Sequence, residues 1–152
     1  MLTPDYADST LAWHFTGARL RDGRPVPPDG EWLRHTGPLL MCRSGLHASL
    51  HPFDALQYAP GGTLCYVECR GDIKHEADKL ICRERRILSR IDATDLLYTF
   101  ARAQALSVIH RWNAPEVVVS YLKTGNMELR EATRRAVWGT SQYAAREAAR
   151  SS

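Results

Sequence analysis

At Asp92 the hydrophobic period of this chain changes, and that change limits the folds open to it. Upstream, apolar and polar residues alternate in short runs separated by glycine and proline. The clearest run is 63–70, with Cys65, Val67 and Cys69 on one face and Leu64, Tyr66, Glu68 and Arg70 on the other. Downstream, Leu96, Leu97, Phe100, Ala103, Val108 and Trp112 recur at helical spacing, with Asp92 as N-cap and Asp95 in the first turn. Strands first and helices afterwards indicate an α+β fold. The expected architecture is a twisted, mostly antiparallel sheet of about five or six strands, followed by a C-terminal helical segment of about three helices. The corresponding division is a β-rich core over residues 1–91 and helices over 92–152 that pack on the core or extend from it.

Local signals fill in the elements. Residues 10–16 are rich in strand formers and end at Gly17, predicting a first strand. Glu31 to His35 and Leu39 to Cys42 flank Thr36-Gly37-Pro38 and read as a hairpin. A short strand is expected at Leu46 to Ala48. Pro52 then opens a helix that runs to about Tyr58 and stops at Pro60-Gly61-Gly62. Residues 79–91 read as one longer strand, whose charges at Arg83, Glu84 and Arg85 fall on both faces and point to an edge or a functional opening. Pro115 occupies a first helical position and Gly125 closes that helix, while residues 127–150 have high helix propensity apart from Gly139.

At 152 residues the chain is long enough to bury a core, and no apolar run approaches the roughly 18 residues needed to cross a bilayer. The residues after Met1 lack the basic and apolar regions of a signal peptide, so the expected compartment is the cytoplasm, with no membrane partner. In that compartment Cys42, Cys65, Cys69 and Cys82 are reduced thiols. Cys42, His47, His51, Cys65 and Cys69 are zinc-ligand types, but the spacing matches no zinc knuckle or ribbon. Cys65 and Cys69 would stand about 13 Å apart along a strand. Buried cysteines acting as small hydrophobes explain them better, and no metal is expected. Cys42 with His47 as its base lacks an identifiable third residue to orient the pair. Arg83, Arg85 and Arg86, with Lys79, could bind the phosphates of a dinucleotide or of a nucleic acid strand. No aromatic residues interleave them, so any nucleic-acid binding would not be sequence-specific.

Two resemblances follow from these residues. Ala12-Trp13-His14-Phe15, Leu20 through Pro27, Cys42 through Tyr58 and Asp78-Lys79-Leu80 resemble an uncharacterised family that recurs in tailed phages and bacterial genomes. Its members often carry Ala/Arg-rich helical tails, of which residues 127–150 would be a short version. That resemblance implies a mobile-element setting, and the host cytoplasm as the compartment. Residues 10–90 are also similar to the ADP-ribosyltransferase fold, on Trp13-His14-Phe15-Thr16, Gly45-Leu46-His47-Ala48-Ser49 with Tyr58, and Leu64-Cys65-Tyr66-Val67-Glu68-Cys69. This implies an NAD site, with His14 and Thr16 on the nicotinamide riboside and His47 and Tyr58 walling the ring. Phe15 stands where that family has a glycine and His47 where it has a stacking Tyr. Glu76, Asp78 and Glu84 remain alternative candidates for its catalytic carboxylate. Two functions are therefore expected: an NAD-binding, ADP-ribosyltransferase-like protein that modifies a host factor, or a non-catalytic accessory protein. The latter would act by protein–protein binding, for example as an inhibitor of a host defence complex.

Overall fold

The structure, a computed structural model, describes residues 9–139. It divides into two compact units at Thr94/Asp95. The alternating segment Thr63–Arg70 becomes the central strand β4 of the first unit, with β1 (Ser9–Thr16) on one side and β7 (Glu84–Asp92) on the other. The short strand β2 (Trp32–Arg34) pairs with β7 and completes a four-stranded antiparallel sheet. A second antiparallel sheet has three strands in the order β3 (Leu46–Ala48), β6 (Leu80–Cys82), β5 (Lys74–His75). Helix α1 (Pro52–Leu56) follows β3, with Pro52 in its first turn, where the missing N–H has no intrahelical partner to lose.

The core lies between the two sheets. Ala12, Cys65, Val67, Cys69 and Ile87 from the larger sheet pack with Leu46, Ala48, Leu80 and Cys82 from the smaller, and all are buried. Cys65 and Cys69 are thus core residues, as their shared strand face implies, and Cys82 joins them from β6.

The expectation of an α+β chain with antiparallel strands and C-terminal helices holds, and three details differ. The strands form two sheets rather than one. The segments around Thr36-Gly37-Pro38 do not form a hairpin: β2 pairs with β7, and Leu40 closes a local turn on Ser44. Residues 79–91 are two strands in different sheets, because the chain crosses from one sheet to the other at Arg83. There the Arg83 N–H donates to Gly71 O, its carbonyl accepts from His35 N–H, and its side chain bonds Asp72 and Gly37 O.

The second unit begins within α2 (Thr94–Ser107) and continues with a 3₁₀ turn at Ile109–Arg111 and α3 (Glu116–Thr124). Pro115 is the cap preceding α3 rather than its first residue, and Gly125 closes α3 at φ 68°. A second 3₁₀ turn (Met127–Leu129) leads into α4 (130–139). Residues 140–150 of the expected helical stretch lie outside the described residues. None of the described helices is long and apolar enough to cross a membrane.

Candidate functional site

A break in the pairing of β4 with β7 decides what faces the space between the sheets. Cys65 pairs with Arg90 and Tyr66 with Ser89, but Val67 pairs with Ile87, so Leu88 is an extra residue in β7. Such a bulge reverses which side chains of the strand point inward. In unbroken register Arg86 would oppose Cys69 and share its inner face; with the bulge, Arg85 does. Arg86 goes to the outer face instead. It pairs there with Glu68 at 2.7 Å and, together with Arg70, brackets the Trp32 ring, at 4.7 and 3.7 Å from its centroid. Glu84 is on the same outer face, between Arg70 and Arg34.

Arg85 is 6% exposed and forms part of the wall of a cavity of about 790 Å³. His14 and Thr16 reach that cavity from β1, His47 from β3 and Tyr58 from the turn after α1. All four residues singled out in the sequence therefore line one hollow. Of the four basic residues considered for phosphate, Arg85 and Lys79 line it, whereas Arg83 and Arg86 do not. Sequence reasoning missed Arg21, Arg43 and His35, which come from loops before β3 and carry no periodic signal. His51 precedes α1 but its side chain makes no capping bond.

Local geometry fixes each group. Thr16 Oγ1 donates to Gly17 O at 3.3 Å, which leaves its lone pairs to accept. His47 Nε2 accepts from the Cys42 N–H at 3.1 Å, so that nitrogen is unprotonated and already occupied. This removes His47 as a base for the Cys42 thiol. Cys42 itself holds φ 61°, an uncommon conformation for a residue with a side chain. Gly45, at φ 130°, lets the loop press onto β6: a Cβ there would meet Leu39 Cδ2 at 3.0 Å and Ile81 Cβ at 3.4 Å. Gly61 closes against the end of β1, where a Cβ would lie 2.8 Å from Gly17 Cα and 3.0 Å from Thr16 O. At the rim, the Tyr58 hydroxyl bonds Asp78 and receives Lys79 Nζ at 3.3 Å.

The electrostatics are one-sided. Arg19, Arg21, Arg24, Arg43, Lys79 and Arg85 line the cavity against a single carboxylate, Asp22, which is paired with Arg24 at 2.6 Å. Burial, then the Arg85 charge, then His47 hold the His14 imidazole well below its ordinary value of 6.5. Burial and the charges of Arg85, Arg21 and Lys79 also lower His47, against a backbone hydrogen bond at Gly45. Both rings are neutral at physiological pH and serve as hydrogen-bonding groups rather than charges. Hydrogen bonds that Lys79 donates to Cys42 and Tyr58 push its pKa up, so it stays an ammonium. Among the described residues no cluster of His, Cys, Asp and Glu could hold a metal ion.

Comparison with known proteins adds the family and no activity. No curated protein and no solved structure matches this chain. A family model described as a domain of unknown function, DUF7666, matches residues 11–99, more than half of the chain and every element that builds the cavity. The chain therefore belongs to the DUF7666 family.

Proposed function

We propose that the first unit is a binding domain for an NAD-like nucleotide, held in the cavity between the two sheets. The observation that carries this reading is the convergence of His14, Thr16, His47 and Tyr58, from three separate segments, on one hollow with a cationic wall. A volume of about 790 Å³ falls in the upper part of the range of small-molecule sites, and the cationic wall suits an anionic ligand. Neutral His14 can both donate to and accept from ribose hydroxyls, and Thr16 Oγ1 offers an acceptor beside it. The His47 ring, pinned by Cys42 N–H, and the Tyr58 ring supply faces for a flat base.

The same lining favours binding over group transfer. Cleavage of a glycosidic bond needs a carboxylate near the developing positive charge. Glu84 is engaged by two arginines on the outer face, Glu76 pairs with Lys79 at 3.4 Å, and Asp78 bonds the Tyr58 hydroxyl; none of the three lines the cavity. A ligand-binding module of this kind suits an accessory protein better than a transferase.

The test is thermal unfolding of the full chain with NAD, ADP-ribose and nicotinamide. Ligand at about 100 times its dissociation constant adds about 2.7 kcal/mol of stability. A rise in melting temperature with NAD or ADP-ribose is expected; no rise with any of the three overturns the reading.

A further inference from the structure

Arg85 has no counter-charge of its own. It is 6% exposed, yet among the described residues its guanidinium makes no ion pair. One nitrogen, Nη1, donates to His47 O. Glu84 on its own strand and Glu68 on the neighbouring one face away and are already paired with other arginines, and Asp92, at the far end of its strand, accepts from Thr94 N–H. The sulfur atoms around it do not substitute for a carboxylate. Burial pushes the Cys65 thiol up, and a hydrogen bond to Cys82 raises Cys69 further. Cys82 is the one thiol of the three held down, first by its bond with Cys69 and then by the Arg85 charge, but its Sγ faces the carbonyl oxygens of Leu46 and Glu84, at 3.5 and 3.2 Å, two acceptors that suit a thiol and not a thiolate. A buried guanidinium does not solve this by deprotonating, as a lysine or histidine can.

No buried side-chain nitrogen or oxygen among the described residues lacks a hydrogen-bond partner. The Arg85 N–H groups that do not bond His47 O therefore retain accessible surface, on a side chain that lines the cavity. A planar fork of donors, charged, enclosed and unpaired, is the arrangement that receives a tetrahedral oxyanion by two parallel hydrogen bonds. Two neutral imidazoles, His14 and His47, stand beside it, Arg21 lines the same hollow with no ion pair among the described residues, and Lys79 lines it while paired with Glu76 and Asp78. That density of positive charge suits a group carrying more than one negative charge.

We propose that Arg85 is the receptor for a phosphoryl group, so that the occupant of the cavity is a phosphate ester rather than a nucleoside or a free base. This rests on the nucleotide reading of the same cavity and names the part of the ligand that is recognised first. The bulge at Leu88 belongs to the same device, since it turns Arg85, and not Arg86, into the hollow.

The experiment is calorimetric titration of the full chain with inorganic phosphate, AMP, adenosine and succinate, repeated on R85M and R85K. AMP is expected to bind wild-type protein about 10- to 100-fold more tightly than adenosine, the range set by one charge-assisted pair. R85M removes that difference while adenosine binds as before, and R85K restores only part of it, having charge without the fork. Equal binding of AMP and adenosine to wild type, or of AMP to wild type and R85M, overturns the proposal; so does succinate binding as tightly as phosphate. If R85M does not fold, R85K decides: unchanged phosphate affinity in folded R85K overturns the proposal, and at least a tenfold loss supports it. The two readings fail separately. Phosphate binding that depends on Arg85, with no binding of adenosine, NAD or AMP beyond it, keeps the subsite and removes the nucleotide. NAD binding that is indifferent to R85M does the reverse.

Discussion

Replacing Gly45 by alanine tests whether the loop before β3 is pressed onto β6 by steric necessity. Two costs apply at this position. A residue with a Cβ at φ 130° is strained, and a left-handed conformation costs roughly 1–2 kcal/mol. The added methyl would also sit 3.0 Å from Leu39 Cδ2 and 3.4 Å from Ile81 Cβ. Leu39 is 6% exposed and has little room to yield, and Ile81 is held in the middle of β6. Overpacking of this kind adds about 1–3 kcal/mol. Gly30 is the control: it has φ 84° and nothing within 4 Å of its would-be Cβ, so Gly30→Ala carries the backbone cost alone. Both glycines lie in the first unit, so the difference between the two variants reports packing together with the extra strain of φ 130° over φ 84°. In urea unfolding followed by circular dichroism, with a slope of about 2 kcal/mol/M, Gly45→Ala should have a midpoint about 0.5–1.5 M below Gly30→Ala. Equal midpoints would refute the idea that Gly45 is there for contact with Leu39 and Ile81. Because β3 starts one residue later and carries the carbonyl that receives Arg85, Gly45→Ala should also weaken phosphate binding, and Gly30→Ala should not.

Three further outcomes are expected. His14 and His47 are both held below the ordinary imidazole value of 6.5, so the folded state binds fewer protons than the unfolded one just below that pH. Stability should then be complete above about pH 6.5 and fall as the pH drops through the window beneath it; His14→Gln should flatten that slope, and an unchanged slope contradicts the assignment. Trp32 and Arg70 should show a coupling of about 0.5–1 kcal/mol in a double-mutant cycle with alanine, the size of a cation–π contact at a partly exposed site. A coupling of zero would make the bracket around Trp32 incidental. Iodoacetamide should label a single thiol in the native protein, Cys42, because Cys65, Cys69 and Cys82 are buried, and bound ADP-ribose should slow that reaction at the cavity wall. Native labelling of a second cysteine would show that the core opens.

The strands whose side chains obey a simple period could be read directly. Residues 10–16, 46–48 and 63–70 became β1, β3 and β4, and His14 and Thr16 fall on one face because they are two apart. What could not be read were features set by distant parts of the chain. β2 has three residues and exists because β7 offers it an edge, so nothing local separates it from a hairpin arm. The split of residues 79–91 depends on Arg83 being tied by Gly71, Asp72, His35 and Gly37 at once. A charge cluster at Arg83, Glu84, Arg85 and Arg86 is visible in the sequence, but which arginine faces inward depends on the bulge at Leu88. A one-residue insertion in a ladder leaves no mark in hydrophobic alternation when the residues concerned are Ile87 and Leu88, both apolar. His14, His47 and Thr16 could thus be named from the sequence and His35 could not, whereas Arg85 could only be placed among candidates.

A crystal structure of the full chain with ADP-ribose puts the main claim to the most direct trial. The ligand is expected between the two sheets, with a phosphate oxygen about 3 Å from the Arg85 guanidinium and a ribose hydroxyl within reach of His14. Density for ADP-ribose elsewhere on the protein, or in the hollow with its phosphates turned away from Arg85, would contradict it.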